Sequence, residues 1–306
     1  MNRTTLAVVI ANYNTRDYLA RCLESIERYP PDFPFEVIVV DNNSHDGSAE
    51  MVRQTFPRVR LLANPDNVGF GPALNQGARA SESDYVLLLN SDTEMLPGTL
   101  ALPIREMERR PRVGMVAPEF VDRNGEIIQM SWGWTPLFLG EILQRIFSPR
   151  AVQEKPWRRR MVQRLQAKER LVPTLCGAAM FVRRQALESA GGMDEGFVLY
   201  FEDSDICVRI RQQGWNLLLL PKVRIIHHLG KSTVSRPGKM ALIYRQSQLR
   251  FYRKHGSPVD RILLRLYLRW KFRQVYVAAE RQKPEHLREH YRALRGVLSG
   301  TEHIGL

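Results

Sequence analysis

The sequence predicts an α/β fold: a mainly parallel central sheet with helices on both faces. Three observations predict it. Short β-branched apolar runs alternate with segments of helical periodicity through the first half of the chain. The runs are continuously apolar, as in strands buried on both faces. Polar residues stand directly after three of them, where ligands bind in sheets of this kind.

Residues 6–11 form the first strand, which stops at Asn12. A helix follows in which Tyr18, Leu19, Cys22, Leu23 and Ile26 recur on one face. Residues 35–40 are the next strand, ending at Asp41, and Asp46-Gly47-Ser48 opens a second helix. A strand near 59–63, a helix over 72–80 and a strand at 85–89 continue the alternation, the last running into Asn90-Ser91-Asp92. Residues 113–118 read as a further strand. Residues 131–170, rich in Trp, Pro and Arg, read as an irregular basic excursion or lid. Residues 171–183 have a strand pattern, and a helix and a Gly191-Gly192 turn lead into the segment 197–213. Two further short strands follow, at 215–220 and 223–227.

At 306 residues the chain can bury a sizeable core, and its net charge is +13. The charge is unevenly placed. Residues 145–170 hold nine Lys/Arg against two Glu, and residues 240–306 hold fourteen against five Asp/Glu, so the remainder is slightly acidic. Basic appendages of this kind suit an anionic membrane surface or nucleic acid. Cys22, Cys176 and Cys207 are far apart, which argues against a zinc site or a disulfide framework and suits a reducing, cytoplasmic setting. The first apolar run lacks the features of a signal peptide, and no stretch reaches the roughly 18 uncharged apolar residues of a membrane span. Any membrane association is therefore expected to be peripheral.

Three places carry candidate chemistry. Asn12, Asp41 and Asn90/Asp92 follow the ends of neighbouring strands, and amide and carboxylate oxygens at Asn90-x-Asp92 suit a hard cation shared with a diphosphate. A polar turn is the alternative. Glu94 shares a side with that pair only if the strand continues. In Tyr200-Phe201-Glu202-Asp203-Ser204-Asp205, acidic residues reach a helix N-terminus, whose dipole favours their ionised form. Asp205 and Arg209, four apart, form a structural pair, leaving Asp203 as a plausible general base. His227, ending a β-branched run, is a structural residue or a ligand for Mn²⁺.

Six ordered motifs carry a resemblance: Asn12-Tyr13-Asn14 after the first strand; Asp41-Asn42-Asn43-Ser44; Asn67-Val68-Gly69 with Asn75; Asn90-Ser91-Asp92; Glu202-Asp203-Ser204-Asp205; and His227 with Ser232. Over residues 5–235 the chain resembles the family 2 glycosyltransferases, rhamnosyltransferase-like subgroup. The resemblance implies a GT-A fold over 1–235, with 236–306 as a basic helical C-terminal extension. It also implies inverting, metal-dependent transfer of a sugar, L-rhamnose as the best choice, in cell-surface polysaccharide synthesis. The donor would be a dTDP- or UDP-linked sugar and the acceptor a hydroxyl on a saccharide or lipid-linked saccharide. Ala11, Asn12, Asn14, Asp41, Asn43, Asn67, Gly69, Asn75 and Asn90 would then line the donor pocket. Asp92 would bind both diphosphate and a Mg²⁺ or Mn²⁺ ion, with His227 as the later metal ligand and Asp203 as the base. Glu202, Asp205, Arg209 and Ser232 would support the acceptor side. Asn90 departs from the acidic residue expected first in the metal motif, which shifts the ion-binding burden to Asp92.

Rival classes fit less well. Gly69-Phe70-Gly71 starts like a dinucleotide fingerprint, but Leu74 stands where a third Gly is needed. A sugar nucleotidyltransferase would need a Gly-rich, Lys-bearing N-terminal loop, and a basic nucleic-acid-binding protein would leave Asp92, Asp203 and His227 without a purpose, so no nucleic acid is expected. At the C-terminus, arginines at 261, 265, 269 and 273 flank an apolar helical face that either meets an anionic bilayer at the inner face of the cell membrane or packs on the catalytic body.

Overall fold

The computed structural model describes residues 5–146, 156–229 and 237–282, together with Gly296. In chain order the strands are β1 (Leu6–Asn12), β2 (Phe35–Asp41), β3 (Arg60–Ala63), β4 (Tyr85–Asn90), β5 (Thr93–Met95), β6 (Val113–Val121), β7 (Trp132–Gly133), β8 (Arg170–Leu171), β9 (Thr174–Leu175), β10 (Ala179–Arg183) and β11 (Asn216–His227). The helices are α1 (Arg16–Arg28), α2 (Ser48–Thr55), α3 (Phe70–Arg79), α4 (Leu102–Arg109), α5 (Phe138–Ile146), α6 (Pro156–Gln166), α7 (Arg184–Ser189), α8 (Glu202–Gln212), α9 (Pro237–His255) and α10 (Pro258–Gln282).

Nine strands form the main sheet in the order β3-β2-β1-β4-β10-β6-β11-β5, with β8 on β11. The β3-β2-β1-β4 half is parallel, as the continuous apolar runs predict, and β10 joins it antiparallel to β6 and β11. The sheet is therefore mixed. Alternate residues of β1 serve two cores: Leu6, Val8 and Ile10 pack with Leu19, Leu23, Ile26 and Ile104, while Ala7, Val9 and Ala11 pack with Leu74, Ala186, Ile206 and Ile210. A third cluster, Phe197, Phe201, Leu242, Phe251, Tyr252, Leu264 and Leu268, fastens α9 and α10 to the corner before α8.

Three segments differ from the sequence reading. The strand pattern over 171–183 is broken into β8, β9 and β10, because Pro173 cannot donate to a ladder and Gly177 turns the chain. The two strands read at 215–220 and 223–227 are one, β11, with an irregularity in its pairing to β6 between Leu220 and Arg224 that absorbs Pro221. The excursion at 131–170 contains α5 and α6, and α5 packs against α10.

Register positions the site. Parallel pairing sets Asn12 opposite Asp41 and Ala11 opposite Asn90, so three strand ends stop at one level. Antiparallel pairing of β11 with β5 sets His227 opposite Thr93, next to Asp92. The parallel half also depends on how closely α3 lies on it. A Cβ on Gly77 would come within 2.2 Å of Val9 Cγ1 and 3.3 Å of Val40 Cγ2, and both valines are fully buried and stiff. Gly77→Ala is expected to lower unfolding stability by about 1–3 kcal/mol through overpacking. Urea denaturation measures it, and an unchanged midpoint would refute the close approach.

Candidate active site

Asn12 and Asp41 are buried at the ends of β1 and β2, with Asn12 Nδ2 donating to Asp41 Oδ1 at 2.7 Å. Ser44 donates to Asp41 twice, from its backbone amide to Oδ2 at 2.9 Å and from its hydroxyl to Oδ1 at 2.7 Å. Asn14 and Asn43 take left-handed backbone, φ 52° and 62°, which Asn tolerates. Asn14 then braces the loop, its amide donating to Ser44 Oγ at 2.9 Å and its Oδ1 accepting from the His45 amide at 2.8 Å. Asn67 Oδ1 accepts from the Gly69 amide at 3.0 Å, and the Gly69 carbonyl accepts from Asn42 Nδ2 at 3.0 Å. With φ at 96°, position 69 favours glycine. These residues form one hydrogen-bonded wall, with Ala11 buried beside Asn12 at the end of β1.

Asn75 stands elsewhere. Its Nδ2 donates to the Met193 carbonyl at 2.9 Å and to Glu195 Oε1 at 2.8 Å, and its Oδ1 accepts from the Met193 amide at 2.8 Å. Its amide thus braces α3 to the loop that leads toward α8.

At the β4 end, Asp92 is buried and its Oδ1 lies 3.3 Å from His227 Nε2. The Gln129 side-chain amide lies 3.1 Å from His227 Nδ1 and so fixes the ring. His227 Nε2 and Asn90 Oδ1 are buried without a hydrogen-bond partner, and such orphaned atoms carry a desolvation cost that a ligand would relieve. Two oxygen-bearing side chains and one imidazole suit a hard or borderline divalent cation. Among the described residues no three His, Cys, Asp or Glu side chains converge as a metal cage, so a bound ion would share its coordination with something else, as one held by diphosphate does. Glu94 is engaged elsewhere, 2.7 Å from both Arg123 Nη2 and His228 Nε2.

A short chain of contacts joins this end to the acidic corner. The Asn90 amide donates to the Ala178 carbonyl at 3.0 Å, and the adjacent Gly177 amide donates to Asp203 Oδ2 at 3.0 Å. A Cβ on Gly177 would lie 2.9 Å from Asp203 Cβ, so the glycine permits the approach. Asp203 Oδ1 accepts from the Ser204 amide at 2.6 Å and the Ser204 hydroxyl at 3.2 Å. Burial raises the Asp203 carboxyl above its ordinary value despite these donors. Burial, with the Asp203 charge beside it, pushes Glu202 up to about 8, and Glu202 Oε2 has no hydrogen-bond partner. The helix dipole therefore loses to desolvation at both positions, contrary to the expectation from the sequence. Asp203, with donors on both oxygens, is the better anion, and the pair's proton belongs on Glu202.

Asp205, two residues on, is fully buried and held as an anion. Arg209 Nε lies 2.7 Å, Lys254 Nζ 2.8 Å and His255 Nε2 2.6 Å from its oxygens, and its carboxyl is held below the ordinary range, these partners outweighing burial. Arg209 also donates to the Gly192 carbonyl at 2.6 Å. The structural pairing read from the i,i+4 spacing is present, with two further partners from α9. Ser232 lies outside the described residues. Sequence patterns gave no sign of Gln129 or Gly177, one a single polar residue in an irregular segment and the other a glycine whose role is an amide.

A mixed sheet with polar side chains gathered at its strand ends, covered by helices on both faces, is the architecture of the GT-A class of nucleotide-diphospho-sugar transferases, and the family and fold matches place the chain in that class. The family model for glycosyl transferase family 2 matches residues 7–191, and the chain belongs to that family. It is 31% identical over 278 residues to the N-acetylglucosaminyl-diphospho-decaprenol L-rhamnosyltransferase of Mycobacterium tuberculosis, covering 86% of this chain and 89% of the relative. It is 22% identical over 231 residues to the rhamnosyltransferase WbbL of Escherichia coli, covering 72% and 82%. The mannosyltransferase PcManGT of Pyrobaculum calidifontis, solved in complex with GDP-Man and Mn²⁺, shares the fold at TM-score 0.57 and 17% identity, over 98% of this chain and 88% of that one.

The buried acidic pair has a pH signature. From the ordinary glutamate value of 4.5 up to about 8, the folded chain keeps a proton on Glu202 that the unfolded chain has released, so stability falls as pH rises through that window. Glu202→Gln is expected to flatten this slope in denaturation curves taken between pH 5 and 8, roughly the interval the shift spans. An unaltered slope would count against a protonated Glu202.

Proposed function

We propose that this glycosyltransferase moves L-rhamnose from a nucleotide diphosphate, dTDP in the first instance, to a hydroxyl of a lipid-linked, N-acetylglucosamine-bearing acceptor in cell-surface polysaccharide synthesis. The observation that carries the reading is the link Asp92–His227 on one side of the β4 end and Asn90–Ala178–Gly177–Asp203 on the other, which sets a candidate cation site beside a candidate base. The relative from M. tuberculosis, matched over nearly its whole length, supports the sugar and acceptor class.

In this reading Asn12, Asn14, Asp41, Asn43, Asn67 and Gly69 shape the nucleotide wall. Asp92 and His227, with Asn90 beside them, would hold a Mg²⁺ or Mn²⁺ ion, which when bound would supply positive charge toward the diphosphate. Asp203 takes the proton of the incoming hydroxyl at a carboxylate oxygen, and its buried setting raises its basicity above that of an exposed carboxylate. Protonated Glu202 spares it a second neighbouring charge. A single displacement at the anomeric carbon then inverts configuration.

The same proposal places the enzyme at an anionic membrane surface on the cytoplasmic side. No helix among the described residues is long and apolar enough to cross a membrane. One face of α10 is buried through Leu264 and Leu268, as packing on the body requires. The outer face carries Ile262, Leu266 and Trp270, 55%, 55% and 60% exposed, each directly after an arginine, Arg261, Arg265 and Arg269. Apolar wedges paired with cations one turn apart match a bilayer interface with anionic headgroups.

Three outcomes are expected. Asp203→Asn should lower transfer from dTDP-L-rhamnose by about 10²–10⁴-fold while leaving donor affinity intact by calorimetry, whereas Asp92→Ala should weaken the Mn²⁺-dependent part of that affinity. Near-normal turnover in Asp203→Asn removes it as base, and stabilisation by a UDP-sugar alone redirects the donor assignment. In flotation, the chain should rise with vesicles containing phosphatidylglycerol and not with phosphatidylcholine alone, and Leu266→Glu with Trp270→Glu should abolish this. Unchanged flotation of that variant removes the membrane face.

A further inference from the structure

Two residues before Asp203 the backbone is hard to hold. Tyr200 and Phe201 are both left-handed, at φ 69° and 66°. Two consecutive aromatic residues adopt that conformation only where their surroundings over-determine it. Phe201 is the residue from which α8 starts, so its conformation sets the direction in which the first turn, carrying Asp203, leaves the corner.

What holds the corner comes from α9. Ser247, almost fully buried, donates through its hydroxyl to the Leu199 carbonyl at 2.7 Å. The Tyr244 ring meets both strained residues, with centroids 5.5 Å from Tyr200, edge-on, and 5.1 Å from Phe201. Phe251 also lies against Phe201, with ring centroids 5.5 Å apart. Positions 244, 247 and 251 follow helical spacing and share one face, and Lys254 and His255 continue it onto Asp205. The Gly177 amide in turn fixes Asp203 Oδ2 at 3.0 Å.

We propose that α9 is a positioning element for the transfer step. Tyr244, Ser247 and Phe251 hold the Tyr200–Phe201 corner in its left-handed turn and so set where the Asp203 carboxylate stands, a role that rests on Asp203 being the base. Asn12, Asp41, Asp92 and His227 sit on the strand ends instead, so loosening the corner separates turnover from donor binding.

The test uses the full chain with dTDP-L-rhamnose and a polyprenyl-diphospho-N-acetylglucosamine acceptor. Tyr244→Leu and Ser247→Ala should each lower kcat by about tenfold or more, while affinity for dTDP-L-rhamnose with Mn²⁺ stays within about twofold of the parent. Tyr244→Phe, which keeps the ring, should retain kcat. Amide hydrogen exchange over residues 199–205, which needs no substrate, should quicken in Ser247→Ala while the strands keep their protection. Parallel losses of kcat and donor affinity, or unchanged exchange at the corner, overturn the proposal. Asp203→Asn run alongside separates the two claims. If that variant still transfers, the base assignment fails; if it is inactive while Ser247→Ala and Tyr244→Leu are fully active, only the clamp fails. Should Tyr244→Leu not fold, Ser247→Ala, which deletes a single oxygen, carries the test.

Discussion

The ladder between β11 and β5 is the constraint on which the site depends. His227 and Asp92 are separated by more than a hundred residues, and nothing local brings them together. Antiparallel register does, by setting His227 opposite Thr93 and leaving the imidazole 3.3 Å from the Asp92 carboxylate. Because side chains alternate across a strand, a slip of one residue would turn His227 away and bring Ile226 or His228 in its place. The apolar residues of β11 prevent that slip, since Ile225 and Leu220 face one core while Leu217 and Leu219 face the other. The same packing that stabilises the sheet therefore fixes the distance between these two side chains.

The parallel half of the fold was legible because its strands are buried on both faces and read as unbroken apolar runs. Asn12, Asp41 and Asn90 were legible with it, since each ends such a run. The antiparallel half was harder. β8 and β9 are two residues each, too short for a period to register, and β11 carries Pro221 and Lys222 in its middle, which reads as a break. The helices within 131–170 hid behind a composition heavy in Trp, Pro and Arg. At the site, residue type revealed carboxylates and histidine but not their partners. Gln129 acts through one amide group, and Gly177 through a backbone amide and the absence of a side chain, neither of which leaves a pattern in one sequence. Asn75 shows the reverse limit: its motif was visible, yet its amide is spent on Met193 and Glu195.

Asp203 and Asp205 show why position along a helix does not settle a carboxylate's role. Both lie in the first turn of α8 and feel the same dipole, worth a few tenths to about 1 kcal/mol for an exposed group. Yet burial raises the carboxyl of Asp203, while the partners of Asp205 lower its own. The difference lies in what faces each side chain. Asp205 points at Arg209, Lys254 and His255, and a fully buried anion with such partners stays ionised and structural. Asp203 meets backbone amides, a hydroxyl and the buried Glu202, which hold it in place without supplying a counter-charge. A carboxylate so placed keeps its affinity for a proton, which is what a base requires.

Two of the three partners around Asp205 belong to α9, the helix that also covers the Tyr200–Phe201 corner. The C-terminal helices therefore do more than extend the body. By drawing Lys254 and His255 onto Asp205 and away from Asp203, α9 divides one acidic cluster into an ion-paired anchor and an unneutralised acid two residues apart. Were Lys254 to reach Asp203 instead, the pKa of Asp203 would fall and the corner would hold a salt bridge in place of an unneutralised carboxylate. The anchoring contact and the chemically poised carboxylate are thus two consequences of one packing arrangement, in which each depends on the other staying where it is.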